Sequence, residues 1–463
     1  MKPTAVRYSF VTTISRVVAA SALLGLLLVL GGCGGQTSVP TPPPPPHNPG
    51  VQSLNHVIFM VQENRSFDQY FGHLSSYQQA NGFPAQSIDG MPVNASNPSF
   101  NGTSTVNGYH LKTECIENLS SFWNEDHVAW NRQNPTSSTV MSDGFVFAAA
   151  TFAQNPPPGD PPIVDTAGVR AMGFYDASDL NYYYFMASSF ATSDRWFSPV
   201  MTRTQPNRLF LLAGTSGGRV YPPANTLSNK TIFDLLQTAG VSWKIYETDP
   251  GSSYINSFQP FASQHSANLV PVSQYLTDVK NGTLPAVAMI EGGYNSGLDE
   301  HPNNNVQTGA AYVESLVNAL MSSPSWKDSV FILTYDESGG LYDHVSPMAT
   351  VSPDGILPSD LQAGDICSSG GGANCDFTFT GFRVPLIVIS PFTRKNFVSH
   401  TPADYTAILK LIETRFSLSS LTRRDAAQMD MTEFFDFQNA PWATPPSPPA
   451  QLRSGVCNPL VLQ

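Results

Sequence analysis

The chain has 463 residues, of which 41% are apolar and only 13% charged, with 34 Gly and 39 Pro; that is enough apolar material for a large core joined by many turns. A formal net charge of −12 excludes a nucleic-acid-binding surface as the default. It also means that an anionic substrate is repelled unless local cations or hydrogen-bond donors receive it.

Residues 1–32 read as an export signal. Lys2, Arg7 and Arg16 precede an uncharged run, Val17 to Leu30, that is too short to span a bilayer comfortably. The run ends in Leu30-Gly31-Gly32-Cys33, which resembles a bacterial lipobox. Cys33 is then the lipidated N-terminus of an exported protein anchored to the cell envelope. Gly34 after it, where an inner-membrane signal has Asp, favours the outer membrane. A plain secretory signal with an incidental Cys is the alternative. Residues 33–50 are Pro-rich and predict an extended tether. The body, residues 51–463, keeps Cys115, Cys367, Cys375 and Cys457, an even set that reads as disulfides. Cys367 and Cys375 flank the flexible loop SSGGGAN, which leaves Cys115 for Cys457; free buried thiols are the alternative.

Short runs rich in β-branched residues on both faces predict buried strands at His56–Val61, Val241–Tyr246, Ala286–Ile290, Val330–Thr334 and Val384–Ser390. Helical patterns lie at Ile232–Ala239, Gly309–Met321 and Tyr405–Phe416. Strands buried on both faces belong to parallel sheets with helices on both sides, so the expected class is α/β.

Two of these strands run into acidic segments, Gln62-Glu63-Asn64-Arg65 and Tyr335-Asp336-Glu337. Functional groups in open α/β sheets gather beyond the carboxyl ends of strands. Glu63, Asn64, Asp336 and Glu337 would offer hard oxygen ligands to a divalent cation if the two ends meet. Simple helix capping by Asn64 or Asp336 is the competing reading. Thr204-Gln205-Pro206-Asn207-Arg208 precedes the apolar stretch LFLLAG, so Thr204 is expected at a helix N-terminus, where backbone N–H groups favour an anion. Its hydroxyl could attack phosphorus if a metal activates it. The T-x-P-x-R spacing resembles the sulfatase signature C-x-P-x-R, but Thr cannot become formylglycine, which argues against a sulfatase. Three of the nine histidines directly follow an acid: His127, His301 and His344. Such pairs can favour imidazolium, which stabilises phosphoryl charge or protonates a leaving group.

The segments HVIFMVQENRSFDQYFG (56–72), DRWFSPVMTRTQPNRLFLLAG (194–214), TIFDLLQTAGVSWKIYE (231–247), LDEHP (298–302), FILTYDESGGLYDHVSP (331–347) and GFRVPLIVISP (381–391) resemble, in order, the phosphoesterase family of bacterial phospholipases C and acid phosphatases. The resemblance implies a three-layer α/β/α sandwich similar to the alkaline phosphatase fold. It implies one divalent metal (Ca, Mg, Mn or Zn) held by Glu63, Asn64, Thr204, Asp336 and Glu337. Thr204 would be the nucleophile of a double displacement through a phospho-threonine. His127, His301 and His344 would bind phosphoryl oxygens or protonate the leaving group, although the D-H pair at His127, followed by Trp130, departs from the family's usual D-x-x-H-S-W pattern. The implied activity is phosphate-ester hydrolysis of phospholipase C type, with phospholipid as a candidate substrate. A nonspecific acid phosphatase and a non-catalytic surface lipoprotein are the alternatives.

Overall fold

The computed structural model describes residues 50–463. The expected signal, Cys33 and all of the expected tether except Gly50 lie outside the described residues.

Eight strands form one central sheet. They are β1 (His56–Gln62), β2 (Ala191–Ser193), β3 (Trp243–Glu247), β4 (Leu269–Pro271), β5 (Val287–Glu291), β6 (Ser329–Tyr335), β7 (Leu386–Ile389) and β8 (Phe397–Ser399), in the spatial order β8-β2-β7-β6-β1-β5-β3-β4. All five predicted strands are present, within a few residues of their predicted ends. The entirely parallel sheet is corrected, however. Strand β7 runs antiparallel to both β6 and β2, so the sheet is mixed. Burial on both faces produces the same apolar run whichever way a strand points. Every residue of β5, β6 and β7 is buried, as is all of β1 after His56.

Two groups of helices flank the sheet. One contains α3 (Asn181–Ser189), α6 (Val272–Asn281) and α7 (Val306–Met321); the other contains α4 (Thr204–Ala213), α5 (Ile232–Thr238) and α8 (Ala407–Phe416). This is the expected three-layer α/β/α architecture. Two further helices, α1 (Phe67–Phe71) and α2 (Trp123–Trp130), follow the first strand, and the segment just before α2 lines the cleft. Local chemistry sets the helix starts. Thr231 and Asp234 form a reciprocal cap on α5, and the Asn305 side chain accepts from the Gln307 and Thr308 N–H groups at the start of α7. Both expected disulfides, Cys115–Cys457 and Cys367–Cys375, are formed.

Candidate active site

Strand β1 lies between β5 and β6, parallel to both. Gln62 pairs with Tyr335 at the carboxyl ends of β1 and β6, so the residues that follow leave the sheet side by side. Backbone bonds weld the two exits together: Asp336 N–H donates to Gln62 O at 3.1 Å, and Arg65 N–H to Glu337 O at 3.1 Å. Asn64 turns the chain in the left-handed region at φ 64°, a conformation Asn tolerates better than most residues. Its N–H then donates to Asp336 Oδ1 at 3.0 Å. Gly339, at φ 71°, packs against this turn; a Cβ there would lie 2.5 Å from Asn64 O, so only Gly fits.

Thr204 is the first residue of α4, and its side chain lies close enough to the Asp336 carboxylate to favour its ionised form. Asn207 folds the approach to this helix by donating to Thr202 O at 2.6 Å and to Val200 O at 3.2 Å. One turn beyond Thr204, Arg208 reaches the same carboxylates. Its Nη2 donates to Glu63 Oε1 at 3.2 Å, its Nε lies 3.8 Å from Asp336 Oδ2, and its Nη1 lies 3.9 Å from Glu291 Oε2. The Tyr254 hydroxyl donates to Glu63 Oε1 at 3.1 Å. Glu63, Asn64, Thr204, Glu337 and His301 line one cleft of about 680 Å³, beside Arg203 and Tyr294; Asp336 lies buried behind them.

Burial raises the pKa of Glu63 well above the ordinary carboxylate range; Asp336 adds to this and Arg208 opposes it. Asp336 and Glu337 are raised for the same primary reason. One buried guanidinium therefore serves several buried carboxylates, which is an incomplete neutralisation. Among the described residues, Asn64 Oδ1 and Asp336 Oδ2 are buried without a hydrogen-bond partner. An all-oxygen set with surplus negative charge and orphaned oxygens fits a hard divalent cation. Among the described residues, two groups of three His, Asp or Glu side chains present ligand atoms within 4.8 Å of one another: Asp68–Asp343–His344 and His110–Asp176–Asp179. In the first, Arg383 already fills the centre, donating to Asp68 at 2.9 Å and to Asp343 at 2.8 Å.

The three sequence-predicted histidines part company. His301 lines the cleft, edge-on to Tyr294. Burial lowers its pKa to about 4, outweighing nearby Asp299. The fold does not bring His344 to the cleft lining. Its Nδ1 lies 2.7 Å from Asp68 and its Nε2 3.0 Å from Asp89; burial lowers its pKa, but Asp68 and Asp343 outweigh this and hold it up. His127 is likewise away from the cleft, fully buried, with Nδ1 2.6 Å from Trp123 O and Nε2 3.1 Å from Asn374 O. In this arrangement each ring nitrogen of both histidines already faces a protein oxygen.

Burial leaves folded His127 neutral down to about pH 4, whereas the unfolded side chain takes up a proton near pH 6.5. The stability tied to this ring is therefore full above pH 6.5 and falls as pH drops toward 4. His127→Gln removes that slope. The wild-type's stability relative to the variant is expected to fall by up to about 1.4 kcal/mol per pH unit inside this window, as read by urea unfolding above and within it.

Sequence reasoning missed Arg208, Tyr254 and Glu300. Arg208 had a signal, since it closes the T-x-P-x-R motif four residues after Thr204 and so shares its helix face. Glu300, in the D-E-H-P segment, has a buried carboxylate that accepts from Tyr70 at 2.8 Å, Tyr183 at 2.5 Å and Tyr335 at 2.8 Å. Its carbonyl receives two Arg65 N–H groups, at 2.8 and 2.6 Å, so it ties the His301 loop to both strand exits.

The fold is mixed α/β, and it gathers acidic side chains, Thr204 and His301 in one cleft beyond the strand ends. The chain belongs to the phosphoesterase family, whose sequence model matches residues 54–419. Its relatives include phospholipase C B of Mycobacterium tuberculosis, 32% identical over 447 residues, covering 86% of this chain and 80% of that protein. Non-specific phospholipase C1 of Arabidopsis thaliana is 30% identical over 424 residues, covering 83% of this chain and 71% of that one. A solved protein of the alkaline phosphatase superfamily from Vibrio parahaemolyticus superposes with a TM-score of 0.34 at 11% identity, covering 77% of this chain and 78% of that one.

Proposed function

We propose that this protein is a phospholipase C that cleaves phosphodiesters through Thr204. The observation that carries this reading is the Thr204 hydroxyl, which lines the cleft at the start of α4, next to Asp336 and to buried oxygens that have no partner. The relatives named as phospholipases C supply the substrate class.

In the proposed reaction, Thr204 Oγ1 attacks phosphorus and gives its proton to the carboxylates beside it. The bond from phosphorus to the glycerol oxygen breaks. The N–H groups that open α4 receive the charge on the phosphoryl oxygens. An anionic phosphate next to His301 favours its protonated ring, which then delivers that proton to the leaving oxygen. Water next displaces the threonine, releasing a phosphomonoester headgroup and restoring the hydroxyl. A divalent cation held by Glu63, Asn64, Asp336 and Glu337 would favour the Thr204 alkoxide and offset phosphoryl charge. Oxygen ligands suit Ca²⁺, Mg²⁺ or Mn²⁺, with Zn²⁺ a fourth candidate.

Acid quenching during turnover tests the covalent step. Phosphate on the peptide containing Thr204 is expected; a burst of product with that peptide unmodified would refute it. Asp336→Asn is expected to lower bound metal and activity together, and full metal occupancy by elemental analysis would count against the ligand role. For location, we propose export and lipid anchoring through Cys33, tested by palmitate labelling that disappears in Cys33→Ser.

A further inference from the structure

Exposed apolar side chains from three remote segments lie on or directly beside residues that line the cleft. Tyr294, on its wall, is 60% exposed; Val164, next to wall residue Ile163, is 67% exposed; Leu460, next to wall residue Pro459, is 63% exposed. Scattered apolar residues on a surface need no explanation, but a set gathered around one opening marks a contact surface.

Dedicated bonds hold this rim in place. The Glu117 carboxylate accepts the Val164 N–H at 2.6 Å and the Asp165 N–H at 2.8 Å, which fixes the loop that carries Val164. The C-terminal segment is pinned by the Cys115–Cys457 disulfide and by two backbone bonds, Glu114 N–H to Val456 O at 2.9 Å and Lys112 N–H to Leu462 O at 3.1 Å. The Pro-rich tail is thereby built into the mouth of the cleft.

We infer that this rim docks the protein on a zwitterionic lipid surface, with the apolar tips entering the headgroup region and the cleft facing the bilayer. The inference rests on the phosphodiesterase reading of the cleft. The rim is continuous with the cleft walls, so a headgroup could enter only from a surface seated on the rim. Charge selects the kind of lipid. A chain of net charge −12, with buried carboxylates beneath the opening, is repelled by an anionic leaflet, whereas insertion of apolar side chains needs no opposite charge.

The test uses residues 33–463 carrying Cys33→Ser, so that neither the apolar export segment nor an acyl group contributes, and vesicles of phosphatidylcholine. Val164→Ser and Leu460→Ser lie outside the proposed catalytic machinery. Each is expected to weaken vesicle binding about tenfold, and the pair to reduce it to background. Turnover of soluble p-nitrophenylphosphorylcholine is expected to stay at the wild-type rate. Vesicle binding unchanged in the double variant would overturn the inference. So would a dimer of the unsubstituted protein that the two serines dissociate, because a second copy would then cover the rim. Rim-dependent vesicle binding without soluble turnover would uphold the docking surface and reject the phosphodiesterase reading.

Discussion

Thr204→Ala is expected to lower turnover by about 10³-fold or more while leaving the fold intact. The two halves of this expectation have separate causes. Activity is lost because the hydroxyl is the atom that bonds to phosphorus, and Ala offers none. Stability changes little because Thr204 is a half-buried first residue of α4, whose hydroxyl contributes at most about 1 kcal/mol through its interaction with Asp336. Ala is also a better helix former. Thr204→Ser keeps the nucleophilic oxygen and is expected to recover measurable activity. Turnover near the wild-type rate in Thr204→Ala would remove the nucleophile assignment; lost activity with an unfolded circular dichroism spectrum would leave the second half of the expectation wrong.

Arg208→Met carries the largest expected effect on stability. The guanidinium is 1% exposed and stands among Glu63, Glu291 and Asp336. Removing it leaves buried carboxylates without their cation, which costs about 3–5 kcal/mol. Methionine fills much of the volume, so the loss reads charge rather than cavity. Arg208→Lys restores the charge without the planar fork and is expected to fall between the two. A urea midpoint for Arg208→Met close to that of the wild type would show that the carboxylates are neutralised by something other than Arg208.

Much of this site was legible in the sequence because it sits where two buried strands end. The runs HVIFMV and VFILT read as buried strands, and polar residues immediately after such runs lie at the carboxyl end of the sheet. Parallel neighbours then bring the two exits together, as the pairing of Gln62 with Tyr335 shows. The T-x-P-x-R segment was legible for a similar reason, since Pro206 marks a first helical turn. Strand direction was not legible, because burial on both faces gives the same apolar run either way, and β7 is antiparallel. The short strands β2, β4 and β8 are three residues each, too few to show a period. The histidines show a different limit. An acid beside a His in sequence does not say which way either side chain faces. Asp343 turns to Arg383, and His344 to Asp68 and Asp89, whereas Asp299 accepts the His301 N–H at 3.1 Å in a loop that opens into the cleft.

A cleft that cleaves phosphodiesters must turn over a soluble diester in preference to a monoester. The most direct measurement is a paired hydrolysis assay on the purified protein, with p-nitrophenylphosphorylcholine and p-nitrophenyl phosphate, each with and without chelator. A preference for the choline diester that is lost with chelator is the predicted result. A preference for the monoester, strongest in acid, would contradict the claim and make the protein an acid phosphatase.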